Sequence, residues 1–268
     1  SVETLKLLNK NIPIYILSYH SKFLKFKLEN LGFKVIELEH GKKFTLDKDF
    51  KITLFAADDC DPQLCFKFYG CSIPGIKDQT QQIDSLSLIE VSNKKILNVN
   101  DSPFKLSKRV IKKNKSLQNV DLLLTGYGGA GPFPQCFQNL SEKEKNNEAK
   151  RKEENFINQS ISYIESTNTK NYLPFAGTYY LAGKLSKLHY KRGVPSINKA
   201  YNKIDKYLKS NSIKTKSIKI NLEASLSLQD FTISEKYKPL NNRLIKNYIK
   251  KISKKKLKYE KLKTPRSN

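Results

Sequence analysis

Ile12-Pro13-Ile14-Tyr15-Ile16-Leu17 is an apolar run of buried-strand length. Phe23, Leu24, Leu28 and Leu31 follow at helical spacing, and then a second short run, Phe33-Lys34-Val35-Ile36-Glu37-Leu38. Strand, helix and strand in that order bury their apolar faces in a layered α/β arrangement, so this opening constrains the fold more than any other part of the chain. Ser21 is expected to cap the helix and Gly32 to stop it. Val2 to Asn9 reads as a short helix ahead of them.

The alternation continues. Lys51 to Ala57, Leu86 to Val91 and Lys95 to Val99 read as strands, and Val120 to Thr125 as a buried strand. Gly126-Tyr127-Gly128-Gly129-Ala130-Gly131-Pro132-Phe133-Pro134 then forms a turn-rich loop at a strand's carboxyl end, where ligands bind in α/β sheets. Ser141 opens a charged helix running to about Ser166, and Tyr172 to Phe175 is a short strand. Ser196 to Ser210 places Ile197, Ala200, Tyr201, Ile204 and Leu208 on one helical stripe; Ser217 to Leu226 is read as a strand pair, and Asn241 to Leu262 as a Lys-rich amphipathic helix. Ala57 to Ser85 shows no period, and unstructured segments that long are functional or disordered. No internal repeat is present, and the last residues are expected to fray.

With 268 residues and 38% hydrophobic content the chain can build a substantial core. No stretch approaches the roughly 18 uninterrupted apolar residues of a membrane span, and the expected location is the cytoplasm. Cys60, Cys65, Cys71 and Cys136 are too few and too unevenly spaced for a disulfide framework, so reduced thiols are expected. Fifty Lys+Arg against 25 Asp+Glu give a formal charge of +25, which favours polyanions. The excess is mostly lysine and accompanies abundant Asn, Ile and Tyr, as an AT-rich coding bias would produce. Lysines fall on every helix, so the charge is expected to be spread out, and nucleic-acid binding stands as an alternative to a small-molecule substrate.

Two clusters could carry chemistry. Asn98-Val99-Asn100-Asp101 ends a strand with a carboxylate, a placement that suits a metal ligand because the strand fixes its position. The plainer reading makes Asp101 a turn or cap residue ahead of a helix beginning at Ser102-Pro103. Asp58-Asp59-Cys60-Asp61, with Cys65 and Cys71, places oxygen and sulfur ligands close together, though no C-x2-C pair occurs; turn carboxylates and buried thiols are the competing reading. His20, His40 and His189 stand apart in sequence and are read as packing or surface residues. The loop from Gly126 to Gly131 matches neither a Walker loop nor a dinucleotide fingerprint; its glycines allow close backbone approach. Tyr248 and Tyr259 lie among the lysines of the last helix, which is read as a solvated amphipathic helix.

From Ile12 to about Gly183 the sequence resembles the later part of metallo-β-lactamase-fold proteins, in the branch of CMP-sialic acid hydroxylase-type domains. The resemblance rests on Ile12 to Leu38 leading into a glycine-lysine turn, on Asn98-Val99-Asn100-Asp101, on Asp121 through Ala130 continuing to Pro134-Gln135-Cys136-Phe137, and on Pro174-Phe175-Ala176-Gly177. It implies a partial four-layer αββα sandwich over residues 1–195, lacking its N-terminal part, with a basic helical C-terminal extension over 196–268. It further implies a metal-dependent hydrolase-like domain acting on a sugar-nucleotide, phosphoester or amide, incomplete as given, using zinc or iron in a complete parent protein. A metal-bound water of lowered pKa would be the nucleophile there. Asp101 matches the family's strand-end metal-bridging Asp; Asp58, Asp59 and Cys60 are further metal candidates, and Tyr127, Gly128, Gly129 and Gln135 are the substrate-side candidates. The family's H-x-H-x-D-H motif is absent, Phe175-Ala176-Gly177 stands where many members have a late His, and Rieske Cys-His pairs are lacking. With the absence of Met, this leads to the expectation of a start further upstream and of poor metal binding by this chain. No catalytic residue is assigned, an inactive interaction domain stands as a further alternative, and oligomeric state is not read.

Overall fold

The computed structural model describes residues 2–70 and 84–256. Short helix α1 (Val2–Lys6) leads into β1 (Ile14–Leu17), α2 (Phe23–Glu29) and β2 (Val35–Leu38), with β1 and β2 paired in parallel. Gly32 adopts a left-handed φ of +84°, which lets the chain leave α2 and turn into β2. Ser21 does not cap α2: the N-cap position is Lys22, without a side-chain cap, and its ammonium reaches Glu37 instead, at 2.6 Å.

A mixed seven-stranded sheet follows, in the spatial order of the sequence: β3 (Lys43–Asp47), β4 (Phe50–Ala56), β5 (Ser85–Val91), β6 (Lys94–Asn98), β7 (Leu122–Gly126), β8 (Asn171–Phe175) and β9 (Lys216–Ser217). The pairs from β3 to β6 are antiparallel, and those from β6 to β9 are parallel. Each parallel step is bridged by a helix or loop crossover, the first two by α4 (Phe104–Lys113) and α5 (Glu142–Thr167) and the third by a segment containing α6 (Ile197–Ser210). Two elements escape the sequence pattern. β3 is exposed at every position but Phe44 and so lacks a buried face, and the aperiodic stretch after Ala57 contains α3 (Pro62–Tyr69), capped by Asp61 and ended by Gly70 at φ +67°.

The period-2 alternation of the strands divides the core. Phe55, Leu86, Leu88, Leu97, Leu123 and Tyr172 face one side, against Leu106, Val110 and Ile111 of α4, Ile157, Ile161 and Ile164 of α5, and Ala200, Ile204 and Leu208 of α6. Their neighbours face the other way. Leu54 and Ala56 pack on the β1–β2 pair and α2, while Ile96 and Leu122 pack with Ile218 and the Leu226–Ile233 bridge. The fold is thus α/β, with helices, a large sheet and a small second sheet stacked in layers. After Ser196, α6 joins the same core and β9 extends the same sheet. α7 (Asn242–Ser253) packs on a 3-10 segment, Gly183–Lys191.

Ser141 caps α5 with a reciprocal capping box: its hydroxyl accepts from the Glu144 amide and the Glu144 carboxylate accepts from the Ser141 amide. Pro174 sits inside β8 without breaking the sheet. Its missing N–H falls on the side of β9, which has already ended at Ser217.

Candidate functional site

Antiparallel pairing from β4 to β6 and parallel pairing from β6 to β8 place the carboxyl ends of β4, β6, β7 and β8 at one edge of the sheet. The segments beginning at Asp58, at Asn98, at Gly126 and at Ala176 therefore converge, although tens of residues separate them in sequence. Contacts at this edge are backbone to backbone: a Cβ added to Gly126 would lie 3.3 Å from the Asn100 carbonyl oxygen, 3.9 Å from that of Phe175 and 3.8 Å from that of Ala176. Four non-glycine residues here have left-handed φ values, Asp59 and Cys60 at 54°, Asn100 at 48° and Ala176 at 47°. Such conformations persist only where surrounding structure enforces them, and they concentrate at functional loops.

The Asn98–Asp101 turn is built by its carboxamides. The Asn98 side-chain oxygen accepts from the Asn100 amide at 2.9 Å, and Asn100 Nδ2 donates to the Ser85 carbonyl at 2.6 Å. Tyr163 of α5 adds a third tie, its buried hydroxyl donating to the Ser102 carbonyl at 2.7 Å. Asp101 itself is exposed and makes no side-chain hydrogen bond or ion pair among the described residues. Nor does it cap α4, whose N-cap position is Pro103.

The acidic loop behaves differently. Asp58 is fully buried, and its carboxylate accepts from the Cys60 amide at 3.1 Å. Arg109 of α4 reaches across to donate to Asp59 at 2.9 Å and Asp61 at 2.7 Å, and Lys113 meets Asp59 at 2.6 Å. His40 approaches Asp59 through Nε2 at 3.6 Å while its Nδ1 accepts from the Ala56 amide, so Nε2 carries the proton of the neutral ring. Burial pushes the His40 pKa down against the pull of Asp59 and Asp58. Burial alone would raise Asp61, but the Arg109 hydrogen bond and the Gln63 amide outweigh it and hold the carboxyl below its usual range. Asp59, a candidate metal ligand from sequence, is thus occupied by cations; sequence reasoning passed over Arg109 and Lys113, and it read His40 only as a packing or surface residue. Arg109 lies one helical turn from Lys113, a spacing that puts both on one face of α4.

The substrate-side candidates hold one loop against another. The Tyr127 hydroxyl pairs with Thr178 Oγ1 at 2.9 Å and accepts from the Thr178 amide at 3.1 Å. Its ring covers Gly177 so closely that a Cβ there would lie 2.4 Å from ring carbon. Gly128 backs onto the Gly177 carbonyl and Gly129 onto the Phe156 ring. Gln135 is buried and donates to the Gly131 carbonyl. Cys60 and Cys136 are not disulfide-bonded, whereas Cys65 is, a correction to the expectation of reduced thiols throughout. Cys71 and Tyr259 lie outside the described residues. Among the described residues no group of three or more His, Cys, Asp or Glu side chains could hold a metal ion, and no helix is long and apolar enough to cross a membrane.

No family model and no curated relative matches the sequence. Solved structures give weak likenesses. CmlA, a diiron β-hydroxylase from Streptomyces venezuelae, is 11% identical with a TM-score of 0.44; the match covers 76% of this chain but only 38% of CmlA, so the chain spans about two fifths of that protein. The metallo-β-lactamase fold protein YhfI from Bacillus subtilis is 12% identical over 76% of this chain and 60% of its own, with a TM-score of 0.38. Igni18, a metallo hydrolase from Ignicoccus hospitalis, is 12% identical over 77% of this chain and 75% of its own, again at 0.38. The neighbours are metallo-β-lactamase-fold and metal-dependent proteins, and at these scores the reading of this chain rests on its own residues.

Proposed function

We propose that this chain is the ligand-holding part of a metallo-β-lactamase-like hydrolase domain, with its working edge at the carboxyl ends of β4, β6, β7 and β8. The observation that carries the reading is Asp101, an exposed carboxylate without a side-chain partner among the described residues, on a turn whose backbone is tied to β5, β7 and α5. A free carboxylate on an otherwise over-determined turn is a side chain held ready for something outside the chain.

A metal does not fit the residues described. Asp58 is buried in its own turn and Asp59 is neutralised by Arg109 and Lys113, leaving Asp101 without partners for a coordination shell. No step through a metal is therefore derived. Asp101 is assigned as the acceptor for a hydroxyl or amino group of a polar substrate, a sugar-nucleotide in the reading that the sequence resemblance supports. The loop from Tyr127 to Gln135, clamped to Gly177, shapes the mouth.

CMP-sialic acid is a suitable probe for calorimetric titration, with elemental analysis of the same preparation. The expected result is saturable binding that Asp101→Ala weakens about tenfold or more, with zinc and iron substoichiometric. Unchanged binding in the variant would remove Asp101 from the site, and stoichiometric tight metal would show that the ligands have been misplaced.

A further inference from the structure

The corner between α5, the 3-10 segment, α6 and α7 carries a different imbalance. Arg192 is 6% exposed and His189 4%, and both line a cavity of about 480 Å³, a size typical of small-molecule sites. A buried guanidinium is ordinarily paired with a carboxylate, because removing a charge from water is costly without one. Arg192 has none. Its Nε donates to the His189 carbonyl at 2.6 Å and its Nη2 to His189 Nε2 at 3.0 Å, while Nη1 has no hydrogen-bond partner. The rings of Tyr179 and Tyr180 lie 4.8 Å and 5.9 Å from the guanidinium carbon and stabilise the cation through their faces, but they supply no counter-charge.

The His189 ring completes the pattern. Since Nε2 accepts from Arg192, the ring proton sits on Nδ1, and Nδ1 is likewise buried without a partner. Stacking on Tyr180, with ring planes 4° apart and centroids separated by 5.1 Å, fixes the ring's orientation. Two N–H donors on residues that line one cavity are thus buried with no acceptor among the described residues. The cavity wall contains the cations Lys150, Lys199 and Arg192 against one carboxylate, Glu153, which Lys199 and Lys203 already engage. Lys152 stands close enough to Arg192 to feel its charge and spends its own hydrogen bond on the Phe133 carbonyl. Tyr190, 71% exposed, offers a ring at the mouth.

We propose that this cavity is a binding site for a small oxyanion, the phosphate or carboxylate group of a small molecule, with Arg192 Nη1 and His189 Nδ1 as its donors. An oxyanion supplies the acceptors and the negative charge that the corner lacks, and a guanidinium presents N–H groups in the geometry that carboxylate and phosphate oxygens accept. The proposal stands apart from the role given to Asp101 and does not depend on it.

The test uses the full chain, titrated calorimetrically with inorganic phosphate and with acetate at constant ionic strength against chloride. Saturable binding of at least one of the two is expected, reduced about tenfold or more in Arg192→Met and in His189→Phe, the size of one lost charge-assisted hydrogen bond. His189→Phe keeps the stacked ring and the guanidinium while removing the Nδ1 donor together with the Nε2 acceptor of Arg192, so it decides the matter should Arg192→Met fail to fold. Phosphate binding with acetate silent assigns a phosphate group, and the converse a carboxylate. Absence of saturable binding to both, or binding of equal strength in the variants, as surface lysines would give, overturns the proposal.

Discussion

Arg109 and Arg192 hold their guanidinium groups in opposite circumstances. Arg109 lies on α4 between two carboxylates of the acidic loop, and although burial opposes its charge, Asp61 and Asp59 raise its pKa above the ordinary value. Arg192 lies against rings and a neutral imidazole, and burial with no carboxylate in reach among the described residues lowers its pKa. The first guanidinium completes the protein and the second leaves it incomplete. Charge count alone misleads about such a chain: a cation whose partners are internal holds the fold together, and one without them points outward to a ligand.

The largest expected effect separates the two. Arg109→Met leaves Asp61 without its cation and Asp59, whose side chain is only 6% exposed, with Lys113 and His40 alone, and should cost about 2 kcal/mol in urea unfolding, less than a fully buried pair because Arg109 is half-buried. Arg192→Met removes a charge that no carboxylate offsets, together with the donors to the His189 carbonyl and Nε2, and should cost about 1 kcal/mol. Equal losses in the two variants would break the comparison.

Next comes a pH effect. Burial, helped by Arg192, drops the His189 pKa to about 4, against about 6.5 in the unfolded chain. The neutral ring is the folded form, so its contribution is fully present above pH 6.5 and is lost as pH falls towards 4, on the order of 2 kcal/mol. His40 shifts in the same direction, so the quantity to measure is the difference between wild type and His189→Phe across that window. A flat difference would mean that the ring is charged in the folded protein.

Tyr163→Phe tests the tie between α5 and the Asp101 turn. Leaving the buried Ser102 carbonyl without its donor should cost about 1 kcal/mol, and faster hydrogen exchange at Asn100 to Ser102 is expected with it. The smallest effect belongs to Asp101→Asn, which should change stability by less than about 0.5 kcal/mol. A larger loss would show that Asp101 has an internal partner and belongs with the Arg109 class.

Much of the fold is legible in the sequence because apolar periodicity is local. The run Val120 to Thr125 appears as β7, the cap at Ser141 opens α5, and the stripe Ala200, Tyr201, Ile204 and Leu208 is the buried face of α6. β3 offers only Phe44 and Leu46 as apolar positions over five residues, and in α3 the apolar residues Leu64, Cys65, Phe66, Phe68 and Tyr69 fall on both buried and exposed positions, so no single apolar face marks either element. The glycines from Gly126 onward announce close approach, but which partner approaches, the Gly177 carbonyl or the Phe156 ring, is nowhere in the local sequence.

The site divides along the same line. The sequence determined which chemical groups follow each strand, since a strand's end and the loop after it are adjacent in the chain: Asp58 to Asp61 after β4, Asn98 to Asp101 at β6, the glycine loop after β7. Only the tertiary structure decided which of those groups are occupied. Asp59 and Asp101 look alike as strand-end carboxylates, yet one faces a helix that brings Arg109 and Lys113 about fifty residues later and the other faces solvent. Likewise, the imidazole beside Arg192 stands only three residues before it in sequence, but that the corner is buried and holds no acid among the described residues is decided by packing. A charge acquires its role from the counter-charge within a few ångströms, and in a folded chain that neighbour is chosen by packing across the sheet rather than by position along the sequence.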